Sequence, residues 1–524
     1  MENQTNNSKE LLLLLFVVAI LAMYSCKPKD TPEEPITAEE KQMIDDFENE
    51  YFAKYNQQFI KDTNDNIFPT PKNVTAMDFH TWAWHKYLYL TQNKRPDGTT
   101  ATVPHFLEDT VMYQITDHGE IVQRQNNPLV LELFHQAGSA HPVLSTNPAF
   151  GDDSSYTVYY SIHMNDIMLN QMYQNVRKKV AEIDKSKDKQ DLSDPTEEYT
   201  NGSLELKAAW VDTRAISPEL LSNYIVVQGV YVLTEEIKDK IDAIVRSKGE
   251  VYTPVYPDDF QQVDVALIGL HVVGKVDNFS ELLWATFEGF HLAPDNLQNL
   301  TDTNSIGNNV LADSVNNVAS THQQMLLYRQ GSTPKKIQDS VINYPKVSTV
   351  SSYKYQVYRK YPIGVSVQNY ATPAFKKHAD IANAMNTSAL KYNSIKQFYN
   401  SNIWLNIESS GQERNLAVYN QLLGEQKIEL AGSPNATNVT MESFMQSTKC
   451  FSCHTSGSFG LPNNLTYNTN LNVSHIYSTY FADKANQRIA ELEGKNNLTI
   501  EQIKTVTEHA KTLKERVIEK TFDQ

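Results

Sequence analysis

Cysteine is scarce in this chain, with three in 524 residues, at positions 26, 450 and 453. No second CxxC motif accompanies the pair Cys450 and Cys453. This disfavours a structural zinc site, because such a site takes four protein ligands, usually from paired cysteine motifs. The chain also lacks a recognisable nucleophile motif, P-loop or dinucleotide-binding motif. The sequence therefore gives no support to nucleotide chemistry.

The chain also has no excess of basic residues. The chain has 46 Lys and Arg against 62 Asp and Glu, which gives a formal net charge of −16. The basic residues are scattered, whereas phosphate contacts need a concentrated basic surface. We therefore expect no nucleic-acid partner. The hydrophobic fraction of 40% is sufficient for globular structure, and the length favours more than one folded unit.

The longest apolar run near the N-terminus is too short to cross a membrane. Residues 11–23 are unbroken apolar residues after a polar start. A helix of this length rises about 20 Å, against a hydrocarbon core of roughly 30 Å. A secretory signal peptide is the better interpretation. The run leads into Ser25 and Cys26, which resembles a bacterial lipoprotein signal. We expect removal of residues 1–25 and lipidation of Cys26, with a plain secretory signal as the alternative.

The predicted destination is therefore outside the cytoplasm. The chain is expected at the periplasmic face or the outer surface, held to a membrane through its lipid. The charged, proline-rich segment 26–36 is expected to be a flexible tether.

The mature chain is predicted to be α+β. Thr37 and Glu40 form a capping box at the start of a first helix, and residues 79–90 predict a second helix whose aromatic side chains belong to the core. Strands are predicted from β-branched and aromatic runs bounded by turn residues. These runs are YTVYYSIHM, NYIVVQGVYVL, VDVALIGLHVVGKV and ELLWATFEGF.

The C-terminal part is predicted to be helical. Asn438 or Thr440 can cap a helix that leads into Cys450, and residues 482–494 and a segment after Thr499 predict two more helices. The predicted organisation is a large mixed α+β domain at 37–432 followed by a small helical module at 433–524.

The module contains Cys450-Phe-Ser-Cys453-His454. A thioredoxin-like redox pair would follow a strand, whereas a predicted helix precedes this motif. Attachment of one c-type haem accounts for all three residues. The two cysteine sulfurs bind the vinyl groups, and His454 is the proximal axial ligand of the iron. Export agrees with this interpretation, because covalent haem attachment takes place outside the cytoplasm.

Several stretches of the chain resemble a family of large exported bacterial cytochrome c proteins. They are AWHKYLYL (83–90), LELKAAW (204–210), LIGLHVVGK (267–275), LLWATFEGFHLAP (282–294) and ESFMQSTKCFSCH (442–454). The resemblance covers most of the mature chain and implies haem binding and electron transfer. It implies no substrate.

The sequence offers two candidates for the second axial ligand. No methionine follows His454, so the methionine ligand common in small cytochromes c is missing downstream. His475 is the candidate distal ligand, and His271 in the strand GLHVV is an alternative donated by the large domain.

Two functions are compatible with these features. The first is an electron carrier that exchanges electrons with redox protein partners. The alternative is a haem enzyme of oxidase or peroxidase type whose large domain binds a substrate. In that case His271, Glu288 and His291 are the natural pocket residues.

Overall fold

The fold is α+β, as predicted: a mixed eight-stranded sheet carries helices on both faces. The computed structural model of the chain describes residues 35–70, 73–124, 126–134, 144–184, 189–194, 196–247, 254–255, 257–279, 282–289, 291–293, 325–327, 373–389, 391–392, 397–404, 438–443, 454, 459–460 and 465–492.

The α-helices are α1 (Ala38–Phe47), α2 (Ala76–Thr91), α3 (Asp166–Ala181), α4 (Pro218–Leu221), α5 (Glu235–Ser247), α6 (Pro373–Ala389) and α7 (His475–Leu492). The predicted capping box of α1 is confirmed, since Thr37 Oγ1 accepts the N–H of Glu40 at 3.2 Å while the Glu40 carboxylate accepts the N–H of Thr37 at 2.9 Å. Of the helices in these ranges, none combines the length and apolar character that a membrane crossing requires.

The strands are β1 (Tyr113–Ile115), β2 (Val130–Leu131), β3 (Tyr159–Met164), β4 (Gln190–Asp191), β5 (Leu204–Asp212), β6 (Ile225–Leu233), β7 (Phe260–Lys275), β8 (Leu282–Gly289), β9 (Gln397–Trp404), β10 (Phe459–Gly460) and β11 (Leu465–Tyr467). The large sheet has the order β1-β3-β5-β7-β6-β2, with β8 also paired to β7 and β9 to β8. A small second sheet has the order β10-β11-β4.

The long strand β7 is the centre of the large sheet. It pairs with β5 along one edge, while its first half pairs with β6 and its second half with β8 along the other. Residues 265–275 are buried except for the partly exposed His271. A strand that is apolar on both alternating faces needs cover on each side. The prediction of a central covered strand is therefore confirmed.

Helix α2 covers the first face of the sheet. Twelve of its sixteen residues are buried, so this helix is enclosed on nearly all sides. Trp84 and Tyr87 contact the ring of Phe287 in β8, with ring centres 5.2 and 4.4 Å apart. The buried Lys86 is neutralised by Asp65, with Nζ and Oδ2 2.7 Å apart. The aromatic residues of α2 are thus core residues, as predicted.

The C-terminal part of the chain covers the second face. Tyr477 and Phe481 of α7 belong to one apolar cluster with Met172 of α3 and Val273 of β7. The parallel pairing of β11 with β4 adds a backbone link. The predicted domain boundary at 432/433 lies outside the described residues. Within them, residues 465–492 share their core with the mixed domain.

Helix α7 begins earlier than the sequence predicts. A helix was expected over 482–494, whereas the structure starts it at His475. Ser474 explains the earlier start, because its Oγ accepts the N–H of Tyr477 at 3.3 Å, as an N-cap residue does. The end of the expected helix after Leu492 and the predicted closing helix lie outside the described residues.

Residues 438–443 form hydrogen-bonded turns. Asn438 makes the bonds expected of a helix cap, since its Oδ1 accepts the N–H of Thr440 at 2.9 Å and its carbonyl accepts the N–H of Glu442 at 2.8 Å. Polar groups at the start of this turn also bond to strand β8. The Asn438 side chain donates to the Phe287 carbonyl at 2.9 Å, and the N–H of Val439 donates to the Glu288 carboxylate at 2.9 Å. Residues 444–450 lie outside the described part. We call 438–443 the docking turn.

Gly269 of β7 allows the docking turn to approach the sheet. A Cβ atom at this position would clash with Thr440 Oγ1 and lie 3.1 Å from Asn438 Oδ1. Overpacking of this kind costs about 1–3 kcal/mol. We therefore expect Gly269→Ala to lower the free energy of unfolding, measured in urea, by about that amount.

Thr440→Ala provides the matched control because it removes the clashing hydroxyl. The double variant Gly269→Ala/Thr440→Ala should lose less stability than the two single variants together. Strict additivity of the two effects would contradict the contact between the turn and the strand.

Candidate functional site

The second face of the sheet carries a row of polar side chains among apolar ones. The strand registers place Glu205 opposite Val273, and Lys207 opposite His271. On the next strand Thr286 is opposite His271, and Trp284 is opposite Val273. Because alternate residues of a strand share a face, these side chains point to the same side as the docking turn and α7. This face is the floor of the candidate site.

His454 lies above this floor and is held by a backbone carbonyl. Its Nδ1 is 2.9 Å from the carbonyl oxygen of Val473. Val473 ends the short 3-10 helix Asn470–Val473, which directly precedes α7. A carbonyl can only accept, so Nδ1 carries the proton in this hydrogen bond.

Two rings enclose the His454 imidazole. The His475 ring is stacked on it with ring centres 4.1 Å apart and planes 7° apart. The Trp284 ring is 4.4 Å away, tilted by 59°. The three contacts come from the 3-10 helix, the start of α7 and strand β8. They fix both the position and the plane of the imidazole.

The electrostatic environment keeps this imidazole neutral. Burial lowers the pKa of His454 well below its ordinary value of 6.5, and the neighbouring His475, His271 and Lys207 act in the same direction, while the hydrogen bond to Val473 opposes them. Since the ring is neutral at pH 7 and Nδ1 holds the proton, Nε2 bears the lone pair. His454 is therefore in the protonation state and tautomer in which an imidazole can bind a metal ion.

The predicted distal ligand His475 is close to His454 but beside it. Two imidazoles that bind one metal ion from opposite sides have ring centres about 6 Å apart, because each metal–nitrogen bond is about 2 Å long. A face-to-face stack at 4.1 Å leaves no space for an ion between the rings. Ligation by His475 stays a prediction, and it requires the two rings to separate.

The alternative ligand His271 is hydrogen bonded at both ring nitrogens. Its Nε2 donates to the Glu442 carboxylate at 3.2 Å, and its Nδ1 pairs with the Thr286 hydroxyl at 2.7 Å. Burial alone would raise the pKa of Glu442, but His271, Lys207 and the N–H of Asn438 hold that pKa below its ordinary value. His271 thereby links the sheet to the docking turn.

Glu205 and Ser474 make a second link between the floor and the C-terminal residues. The Ser474 hydroxyl donates to Glu205 Oε2 at 2.7 Å. Burial raises the pKa of Glu205 from 4.5 to about 7, and this rise persists against the opposing effects of Ser474 and Lys207. Ser474 thus caps α7 and bonds to the sheet at the same time.

The structure separates the other predicted site residues. Glu288 binds the docking turn, which is a structural contact and not a pocket position. The His291 ring lies 6.3 Å from that of Phe150, in a different apolar environment from His454. Cys26, Cys450 and Cys453 lie outside the described residues.

Of the three residues that would hold a c-type haem, the structure describes His454, whose hydrogen bond is compatible with that role. A metal-bound imidazole usually donates its other N–H to a carbonyl or carboxylate, and His454 makes such a bond to Val473. Among the described residues, no group of three or more His, Cys, Asp or Glu side chains is arranged to hold a metal ion. A haem iron needs only one or two protein ligands, because the macrocycle supplies the other four.

Sequence reasoning did not single out Trp284, Val473 or Glu205. Val473 acts through its backbone, which has no signature in the sequence. Glu205 and Lys207 could have been found from the sequence, because these two charged residues alternate with apolar ones in the strand LELKAAW.

Comparisons with known proteins do not extend this description: no protein-family model, no curated protein and no solved structure matches the chain.

The raised pKa of Glu205 predicts a pH dependence of stability. Because the folded-state pKa of about 7 exceeds the unfolded value of 4.5, Glu205 contributes stability that is fully present below about pH 4.5 and is lost as the pH rises through 7. Glu205→Gln keeps an oxygen for the Ser474 hydroxyl and cannot ionise. We expect this variant to gain stability relative to the wild type across that window and to hold the gain above it.

The measurement is urea unfolding of both proteins from about pH 4 to about pH 8.5. Other titrating groups cancel in the difference between the two proteins. A difference that does not change with pH would show that the Glu205 carboxyl is not perturbed.

Proposed function

We propose that the chain is an exported, membrane-tethered c-type cytochrome with one covalently attached haem, and that it transfers electrons to or from redox protein partners. In this proposal Cys450 and Cys453 attach the haem, and His454 is its proximal ligand. Cys26 carries the lipid after removal of residues 1–25.

The hydrogen bond between His454 and Val473 carries the proposal. It selects the tautomer with its lone pair on Nε2, which is the nitrogen that an adjacent haem iron binds. The lowered pKa of His454 supports the same role, because a protonated imidazole cannot act as a ligand. The motif Cys450-Phe-Ser-Cys453 immediately before it supplies the two attachment points.

A bound haem supplies a reversible one-electron change at its iron. The residues of this chain hold the proximal imidazole in one place. Trp284 and His475 confine the ring, and the sheet beneath it is closed by the apolar cluster that contains Val273 and Phe481. A ligand held in one position changes its geometry little between oxidation states, which favours fast electron transfer.

The size of the large domain is compatible with an electron carrier. Three strands of its sheet form the floor under His454, so the domain has a structural role in the site that needs no bound substrate. A cleft of about 230 Å³ lies beside α2, where Tyr55, Tyr87 and Thr91 line it. That helix covers the first face of the sheet, whereas His454 lies on the second face.

A haem enzyme of oxidase or peroxidase type is the second candidate. The stacking of His475 on His454 favours it, because it removes the predicted second ligand from the opposite side of the iron. An iron with an open position binds small molecules. Rapid carbon monoxide binding by the reduced wild-type protein, together with a high-spin spectrum, would place the enzyme ahead of the carrier.

The haem assignment predicts the outcome of three substitutions. Cys450→Ala combined with Cys453→Ala should abolish haem staining on a denaturing gel, because no thioether bond can form. His454→Ala should keep some stain and change the absorption spectrum of the iron. Persistent staining of the double cysteine variant would rule out the assignment, and Glu205→Gln, which should stain like the wild type, is the control.

The anchor and the haem site are predicted to be independent. Cys26→Ser removes the lipid attachment, so the protein should move from the membrane fraction to the soluble fraction. Its haem stain should be unchanged, because residues 450–454 are intact. Membrane retention of this variant in the absence of detergent would contradict lipidation at Cys26.

A further inference from the structure

We propose that His475 is a positioning residue that fixes the plane of the His454 imidazole by stacking, and that it is not the second iron ligand. This inference rests on the proposed function, because it takes His454 as the proximal ligand. It concerns residues of the chain alone and assigns His475 a role that the sequence pattern does not suggest.

The stack with His475 fixes the plane of the His454 ring. The hydrogen bond to Val473 fixes where Nδ1 lies but allows the ring to rotate about the axis of the bond. The nearly parallel contact with His475, at 4.1 Å and 7°, removes that freedom. Trp284 limits the ring further at 4.4 Å. His475 therefore supplies the constraint that a single hydrogen bond cannot supply.

His475 is anchored on the His454 side of the site by its neighbours in the chain. It is the first residue of α7 and follows Ser474, which donates to Glu205 and caps the helix through the N–H of Tyr477. Tyr477 itself is fully buried in the apolar core. Moving His475 to the opposite side of an iron bound to His454 would require these bonds to break.

One short segment makes two of the three contacts with the His454 ring. Val473 accepts the Nδ1 proton, and His475, two residues later, stacks on the same ring. A displacement of His475 would therefore also disturb the carbonyl that orients His454. The segment 473–475 acts as a single unit that holds the proximal imidazole.

Loss of the stack with His475 is expected to change the electronic properties of the iron. The plane of an axial imidazole sets how its π orbitals overlap with those of the iron, so loss of the stack should shift the reduction potential and the electron paramagnetic resonance spectrum. Loss of a ligand would instead change the coordination number. The two roles can therefore be separated by experiment.

The test compares His475→Ala with His475→Phe in the full-length, haem-loaded protein. Phe keeps a flat ring that can stack but has no nitrogen to bind iron, whereas Ala has neither. We expect both variants to keep the spin state and the carbon monoxide reactivity of the wild type. The Ala variant should shift the reduction potential and the resonance spectrum, and the Phe variant should restore both towards wild-type values.

Conversion of the Phe variant to a high-spin form that newly binds carbon monoxide would overturn the inference, because only a lost ligand explains it. An Ala variant with an unshifted potential and spectrum would also overturn it. If His475→Phe does not accumulate, His475→Ala and His475→Leu are compared with the wild type instead. Their spin state and carbon monoxide binding then show whether an iron ligand has been lost. Haem staining of the wild type separates these outcomes from failure of the proposed function, since an unstained wild type rejects the haem itself.

Discussion

The strand β7 has to be covered on both faces, because ten of the eleven residues from 265 to 275 are buried. Helix α2 covers one face, and the other is covered by the docking turn, His454 and α7. The apolar side chains on the two faces of this central strand would otherwise face water. The residues that cover the second face also bring His454 onto the large domain. The same contacts therefore cover the sheet and hold His454.

This arrangement explains why polar residues occur in strands that are otherwise apolar. Each of them bonds to the C-terminal part of the chain or faces it. Glu205 meets Ser474, His271 meets Glu442, and Glu288 meets the N–H of Val439. Buried polar groups are costly unless they are hydrogen bonded. These pairs consequently determine where the covering segment can dock, while the apolar contacts supply most of the free energy.

Local patterns predicted the fold better than they predicted the site. The four strands, the capping box at Thr37 and the aromatic helix α2 follow from periodicity and turn residues, which act over a few positions. The contacts of the docking turn with β8 were not predicted: the Asn438 side chain donates to Phe287, and the N–H of Val439 donates to Glu288. Tertiary partners of this kind have no signal in the local sequence.

The site shows the same limit. Cys450, Cys453 and His454 lie within five residues, so haem attachment can be proposed from their spacing alone. Trp284 and Val473 reach His454 through the register of β8 and the position of a 3-10 helix. Neither contact can be derived from spacing, because each depends on how the C-terminal residues pack on the sheet. The stacked position of His475 is of the same kind.

The central claim is that the two cysteines before His454 hold a haem. Mass spectrometry of the proteolytic peptide that contains Cys450, Cys453 and His454, isolated from the exported protein, tests it most directly. The account predicts a peptide whose mass is increased by one haem, with neither cysteine available for alkylation. A peptide joined by a disulfide, or one with two free thiols, would contradict the account.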